Sequence, residues 1–543
     1  MYDALLSTPP PKNEPVLGYA PGSPERARLK ETLSRMSAET IEIPLFIGGR
    51  EMTTGTLSDV RSPHKHDLLL ARCHHGGAKE TEHAVIAALG AWPAWSSSSF
   101  ADRAAIFLRA AELLSTKYRP TLNAATMLGQ SKTAQQAEID AACELADFLR
   151  FNVAYARRIH EEQPSSAPGT WNIHEPRPLE GFVFAATPFN FTAIAGNLPA
   201  APALMGNTVV WKPAQSAALS AHFIMRLLTE AGLPDGVINM VQGPGPVIAE
   251  VVTSRRELAG IHFTGSTDVF RSLWKTVGER IATYRGYPRL VGETGGKDFV
   301  FVHRSADLEA VAVALVRGAF EYQGQKCSAA SRVYAPTSLF AALKERVVAL
   351  IAEIRMGDVA DFRNFMGAVI DRNAFERIGG YLAQARADAS CSILAGGGAS
   401  DETGYFVEPT FIETRDPGHR LIKEEIFGPV LTAWAYADDE LERALELCDT
   451  TTPYALTGAF FAQDRAAIAH AASRLRHAAG NLYINDKPTG AVVGEQPFGG
   501  ARASGTNDKA GSLFNLIRWV SPRIIKENFA PPTELAYPFM KAE

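Results

Sequence analysis

From residue 181 onward, short apolar runs alternate with amphipathic helical stretches, a pattern that few architectures accommodate. "GFVFAA" ends at Thr187-Pro188 and "NTVVWKP" ends at Pro213. A helix from Ser216 then carries Leu219, Phe223 and Leu227 on one face and stops at Gly232; "GVINMVQG" and "GIHFTGS" (260–266) follow. Such alternation predicts a parallel α/β sheet with its ligand crevice at the carboxyl ends of the strands. After "GIHF", the spacing of Val269, Phe270, Leu273, Trp274, Val277 and Ile281 predicts a helix capped by Ser266 or Thr267. The free amides of that helix start suit an anion such as a pyrophosphate. A second α/β block, from about 295 to 500, opens with "KDFVFVHRSADLEAVAVALVRGAF", strand then helix.

A chain of 543 residues exceeds what one hydrophobic core usually serves, so more than one domain is expected. Lys and Arg number 54 against 59 Asp and Glu, a net charge of −5, and no run of like charge stands out. That balance argues against a nucleic-acid surface and leaves small-molecule chemistry as the default. No apolar run approaches the roughly 18–20 residues that span a bilayer. The opening "MYDALLSTPPPKNEPV" reads as a disordered lead-in without a targeting pattern, which points to the cytoplasm. Residues 79–160 read mainly as helix. In "EIDAACELADFLRFN" (138–152), Ile139, Ala142, Cys143, Ala146 and Leu149 form an apolar seam that leaves Glu138 and Glu144 to one side. A Pro/Ser/Gly cluster at 163–170 breaks the pattern.

Several chemistries fail on inspection. "GETGGKD" (292–298) misplaces the first glycine of a P-loop and has Asp298 where a magnesium-binding hydroxyl belongs. There is no GxSxG elbow. "HEEQP" and "HEPRP" lack the second histidine of a zincin, so no metal site is expected. The five cysteines, Cys73, Cys143, Cys327, Cys391 and Cys448, are scattered with no CxxC, which excludes a disulfide framework. Cys327 differs from the rest. Its setting, "EYQGQKCSAASR", is polar and glycine-containing, whereas a free cysteine is usually a small buried hydrophobe. A nucleophilic thiol needs help for an oxyanion and a base for later hydrolysis. Asn190, just past the end of one strand, and Glu293, after another, are the candidates for those tasks.

"PFNF" with Asn190, "WKPA" with Lys212, "FTGS" with Ser266, "ETGGK" with Glu293, "GQKC" with Cys327, "KEEIFGP" with Glu425 and Phe427, and "QPFGG" with Phe498 resemble, in that order, the aldehyde dehydrogenase superfamily. Longer stretches, including "IDAACELADFLRFN", "PFNFTAIAGNL" and "FEYQGQKCSAASR", look like the branch that oxidises glutamate γ-semialdehyde, and this resemblance runs from about residue 13 onward. It implies an α/β fold. A Rossmann-type NAD-binding domain (37–168 and 181–294) would follow an N-terminal lead-in (1–36) and be joined to an α/β catalytic domain (295–500). A small β oligomerisation flap would come from 169–180, read as a strand hairpin, and from the tail over 505–543.

The resemblance also implies roles. Cys327 would attack the aldehyde, the Asn190 amide and the Cys327 backbone N–H would hold the oxyanion, and Glu293 would activate water for hydrolysis of the thioester. NAD would be held by Pro188, Phe189, Lys212, Gln215, Gly265, Ser266, Glu425 and Phe427. Gln215 stands where many NAD-preferring relatives carry an acid, which leaves NADP use open. For the substrate, backbone amides around Gly490 and Ala491 would receive a carboxylate, with Ser328 adding a hydroxyl donor. Phe191 and Phe498 would sandwich the aliphatic chain, and Glu144 would meet the α-amino group. A homodimer or higher homo-oligomer and a separate proline dehydrogenase are the partners implied, with the mitochondrial matrix as the alternative compartment. The remaining four cysteines read as packing.

Overall fold

Residues 7–542 are described by a computed structural model. Two seven-stranded sheets organise it. The first runs Arg289–Glu293, Leu258–Thr264, Phe182–Ala186, Thr208–Lys212, Ile238–Met240, Leu45–Ile47 and Arg50–Met52. The five strands from Arg289–Glu293 to Ile238–Met240 are parallel, as the alternation predicts. The last two are antiparallel additions from far upstream. Register aligns Ala186 with Lys212 and Thr264 with Glu293, so the loops beyond them open on one rim. Those strands are buried on both faces, which is why they read as continuous apolar runs rather than alternating ones.

The second sheet runs Cys391–Ala395, Thr410–Thr414, Val430–Tyr436, Ala330–Pro336, Asp298–Val302, Thr457–Phe461 and Asn481–Ile484, parallel except for its first pair. The chain crosses from one sheet to the other through Thr294–Lys297. The carboxyl rim of the first sheet thereby meets the amino rim of the second, and Cys327 lies three residues before the strand Ala330–Pro336. Helices cover both sheets. The helix Thr192–Leu204 is buried at every residue but Ile194, which its small residues and lack of charge permit.

Three expectations differ from what is seen. The lead-in is ordered over its described part. Asp147 accepts from the Asn13 side chain (2.9 Å) and the Glu14 amide (2.7 Å), and Ser23 caps a helix over Pro24–Ala38. Residues 1–6 lie outside the described residues. The segment from 138 is not one α-helix, because Glu138–Glu144 is a π-helix that widens the turn before the α-helix Leu145–Glu161. Glu138, expected beside the seam, is fully buried against Arg119, Tyr19 and Asn123. The flap is not a hairpin: Thr170–Pro178 pairs antiparallel with the distant Val520–Asn528. Residues 505–510, expected in the tail, pack instead against Glu293 and Phe498 through backbone contacts.

Candidate active site

A cavity of about 860 Å³ lies where the two sheets meet, and Cys327 and Glu293 both line it. On its other side Cys327 borders a narrow crevice containing Glu425 and Phe427. Cys327 thus stands between the two spaces. Three successive left-handed residues, Tyr322 (φ 51°), Gln323 (φ 55°) and Gly324 (φ 65°), precede it. Only glycine fits the last position, since a Cβ there would stand 2.3 Å from the Gly428 carbonyl. Left-handed non-glycine residues cost roughly 1–3 kcal/mol each and persist where surrounding contacts fix them. Gln323 supplies such contacts, donating to the Ser131 (2.9 Å) and Ala368 (2.7 Å) carbonyls.

Asn190 follows the strand Phe182–Ala186, and its side-chain amide donates to the Gln325 carbonyl (3.1 Å), two residues before the thiol. One amide hydrogen is thus fixed and the other remains for a ligand. Glu293 ends its strand and is gripped by the "QPFGG" loop, with the Gly500 amide donating to Oε2 (3.0 Å). Burial pushes the Glu293 carboxyl well above the usual range. Burial also pushes the Cys327 thiol well up, and Asp298, Glu425 and Glu293 add to it. Both groups therefore hold their protons more tightly than they would in water.

The residues expected on the cofactor side gather at the sheet rim. Ser266 caps the helix Thr267–Glu279 through the Val269 amide (3.4 Å). Lys212, its ammonium depressed by burial, is engaged among the described residues only by the neighbouring Pro213 carbonyl (3.3 Å). Glu425 accepts from the Gly296 amide (2.8 Å), burial raising it to about 7. Phe427 stands edge-on to Phe189 at 5.9 Å. Gln215 is exposed and donates to Ser58 (3.0 Å). A Cβ on Gly265 would stand 2.7 Å from the Phe263 ring, so only glycine leaves this turn open. A helix N-terminus for phosphate, an under-used lysine and a buried carboxylate for ribose hydroxyls, and aromatic walls are a donor set that fits a dinucleotide.

On the opposite side, Glu144, Phe191, Ser328, Gly490, Ala491 and Phe498 line the large cavity together. Glu144 therefore faces the cavity, and burial followed by Asp140 raises it to about 8. The Ser328 hydroxyl donates to Thr489 Oγ1 (2.9 Å), which holds it at the cavity wall. Lysines that the motif reading passed over supply positive charge. A Cβ on Gly490 would stand 3.2 Å from Lys487 Nζ, and Lys326, paired with Glu321 (3.3 Å), also lines the cavity. Their signal was adjacency, in "NDKPTGA" and "GQKC". Among the other cysteines, Cys73, Cys143 and Cys448 are buried, whereas Cys391 is half-buried beside His419 and Asp388.

Comparisons with known proteins agree with this geometry. The profile described as Aldehyde dehydrogenase family matches residues 50–520. The chain is 50% identical over 540 residues to the delta-1-pyrroline-5-carboxylate dehydrogenase, mitochondrial, of Dictyostelium discoideum, covering 99% of this chain and 97% of that one. The crystal structure of the delta-pyrroline-5-carboxylate dehydrogenase from Mycobacterium tuberculosis bound with NAD superposes with a TM-score of 0.96 at 52% identity, covering 100% of both chains. Proline utilization A (PutA) from Bdellovibrio bacteriovorus matches with a TM-score of 0.91 at 30% identity, over 97% of this chain and 55% of that one. With the thiol, the amide and the carboxyl gathered at the meeting of two α/β sheets, and a family profile spanning most of its length, the chain belongs to the aldehyde dehydrogenase family.

Proposed function

We propose that this protein oxidises L-glutamate γ-semialdehyde, the open form of 1-pyrroline-5-carboxylate, to L-glutamate with NAD as acceptor. The observation that carries the reading is one cavity holding the Cys327 thiol and Glu293 together with Glu144, the Gly490–Ala491 loop and its lysine neighbours. An amino-acid aldehyde needs such paired charge at its remote end.

In the reaction, the Cys327 thiol gives its proton to the Glu293 carboxylate, which passes it to solvent, and the sulfur attacks the aldehyde carbon. The Asn190 amide hydrogen not bound to Gln325 and the Cys327 backbone N–H hold the oxyanion of the thiohemiacetal. Removing one such donor costs about 10²–10³ in rate in other enzymes. The helix start at Ser266, Lys212 and Glu425 would hold NAD, which would supply the hydride acceptor that leaves a thioester on Cys327. Glu293 then takes a proton from water, whose oxygen attacks the thioester carbonyl and releases the acid with the thiol. Phe191 and Phe498 hold the aliphatic chain between the two ends. Gln215 brings no charge against a 2′-phosphate, so NADP is accepted less well rather than excluded.

The antiparallel ribbon of Thr170–Pro178 and Val520–Asn528 supports a homodimer or higher homo-oligomer, because two strands paired only with each other leave open outer edges that call for a partner. A separate proline dehydrogenase is the partner that the substrate calls for, and the likeness to part of the larger proline utilization A chain supports it. Of the two compartments expected, the cytoplasm and the mitochondrial matrix, the name of the Dictyostelium relative favours the second.

The test is NADH absorbance with purified protein, NAD and pyrroline-5-carboxylate, against propanal and succinic semialdehyde. A preference of about tenfold or more in kcat/KM, about 1.4 kcal/mol of transition-state discrimination, is expected for the first. Equal or faster turnover of the others would keep the Cys327 chemistry and assign the chain to another aldehyde.

A further inference from the structure

Lys132 and Asp140 form an ion pair (Nζ–Oδ2 2.7 Å) in which both side chains are 0% exposed. The desolvation cost of such a pair usually matches or exceeds its attraction, so stability alone is a weak reason for it. What surrounds it supplies another.

Asp140 reaches the helix Thr192–Leu204, which has no side-chain cap of its own. Its Oδ2 also accepts from the Thr192 amide (2.9 Å), and Oδ1 accepts from the Ala193 amide (2.8 Å). A carboxylate on the first amides of a helix meets both their unsatisfied hydrogens and the positive end of the dipole. Asn190 and Phe191 immediately precede those amides. On the other side of the pair, the Lys132 ammonium lies between two rings, 4.2 Å from the centroid of Phe191 and 4.5 Å from that of Tyr322. Tyr322 opens the left-handed turn that leads to Gln325 and Cys327. Asn190 donates to the Gln325 carbonyl (3.1 Å), closing a ring of contacts through Asp140, the helix start, Asn190, Gln325, the turn at Tyr322 and Lys132. The π-helix Glu138–Glu144 is what turns Asp140 inward.

We propose that the Lys132–Asp140 pair is a positioning device that fixes the oxyanion donor Asn190 and the substrate wall Phe191 in register with the Cys327 loop. The inference rests on the aldehyde-oxidising reading of the site. Neither residue touches the reacting atoms; both act through the helix start and the turn. Misplacement by about 1 Å costs on the order of a hundredfold in oriented reactions, so a loosened ring lowers kcat.

The experiment compares the parent enzyme, Asp140→Asn, and the double variant Lys132→Met with Asp140→Asn, which removes both charges at similar volume. Three readouts are taken: kcat with pyrroline-5-carboxylate, KM for NAD, and hydrogen exchange of the peptide spanning residues 188–196. Expected are a kcat lower by about tenfold or more, a KM for NAD within about twofold, and faster exchange at Thr192 and Ala193. A kcat and an exchange rate equal to the parent's in either variant overturn the proposal, as does a lost kcat whose whole effect is weaker NAD binding. Where the double variant does not fold, the isosteric Asp140→Asn decides by the same readouts. A parent inactive on every aldehyde sinks the functional reading instead, and the exchange measurement then tests the pair by itself.

Discussion

Cys327 sits among three carboxyl groups, Asp298, Glu425 and Glu293, every one of which opposes its ionisation, on top of the larger effect of burial. A thiol whose pKa is raised has less thiolate at neutral pH, so its reactivity climbs as pH rises. Alkylation of Cys327 in the free enzyme, followed by mass spectrometry of its peptide, is therefore expected to accelerate steadily from about pH 7 to about pH 10; a plateau reached below neutrality would contradict the arrangement. Cys327→Ala should abolish turnover while leaving NAD affinity nearly unchanged. Glu293→Ala should release one equivalent of NADH in a burst and then stall at hydrolysis, seen by stopped-flow absorbance; hydride transfer without a stall would take the base role from Glu293. The thiol could be picked out because its polar, glycine-containing setting is unusual for a buried cysteine, whereas the amide and the carboxyl were picked out by their places just past strand ends and by the family resemblance. The engagement of Ser328 by Thr489 could not, since those residues lie far apart in the chain and only the fold brings them together.

The π-helix Glu138–Glu144 is the element that periodicity hid. A 3.6-residue count tracks the apolar seam through Ala142, Cys143 and Ala146, yet a wide turn also brings Glu138 and Asp140 inside, and no spacing rule announces it. Glu138 accepts from the Leu17 amide (2.8 Å), the Tyr19 hydroxyl (2.6 Å) and Asn123 (2.8 Å), besides its pair with Arg119. Arg119 reaches on to Glu14 (2.6 Å), so one buried network fastens the N-terminal segment to this element. That is why a Pro-rich lead-in that reads as disordered is held from about residue 13. Truncating one partner of a buried pair leaves the other charge uncompensated, at about 3–5 kcal/mol. Glu138→Ala should lower stability by that amount in denaturant unfolding, and limited proteolysis should reach the segment 13–23 first. Unchanged stability would mean that Arg119 finds adequate compensation in Glu14 alone.

For the whole molecule, the alternation of strand and helix made the parallel cores legible, because strands buried on both faces carry their own apolar signature. The strands Leu45–Ile47 and Arg50–Met52 were not legible as members of the first sheet, since they join it from over a hundred residues upstream. The ribbon was legible as a flap, but as a hairpin within 169–180 rather than as a pairing of that segment with the distant tail. Its two strands bond to each other from Val520 opposite Pro178 to Asn528 opposite Thr170, so each keeps an outer row of backbone groups without a strand beside it. Trp171, Ile524 and Phe529, exposed by 53%, 60% and 63%, add apolar surface on the same ribbon. A lone two-stranded ribbon is marginal in water, and an open edge beside apolar side chains is a template for another chain. A second copy of this protein, the partner proposed above, would restore both. Ile524→Lys combined with Trp171→Glu should therefore shift sedimentation toward the monomer while sparing the cavity, which draws no residue from the ribbon. An unchanged assembly with full activity would show that the ribbon does not carry the subunit contact.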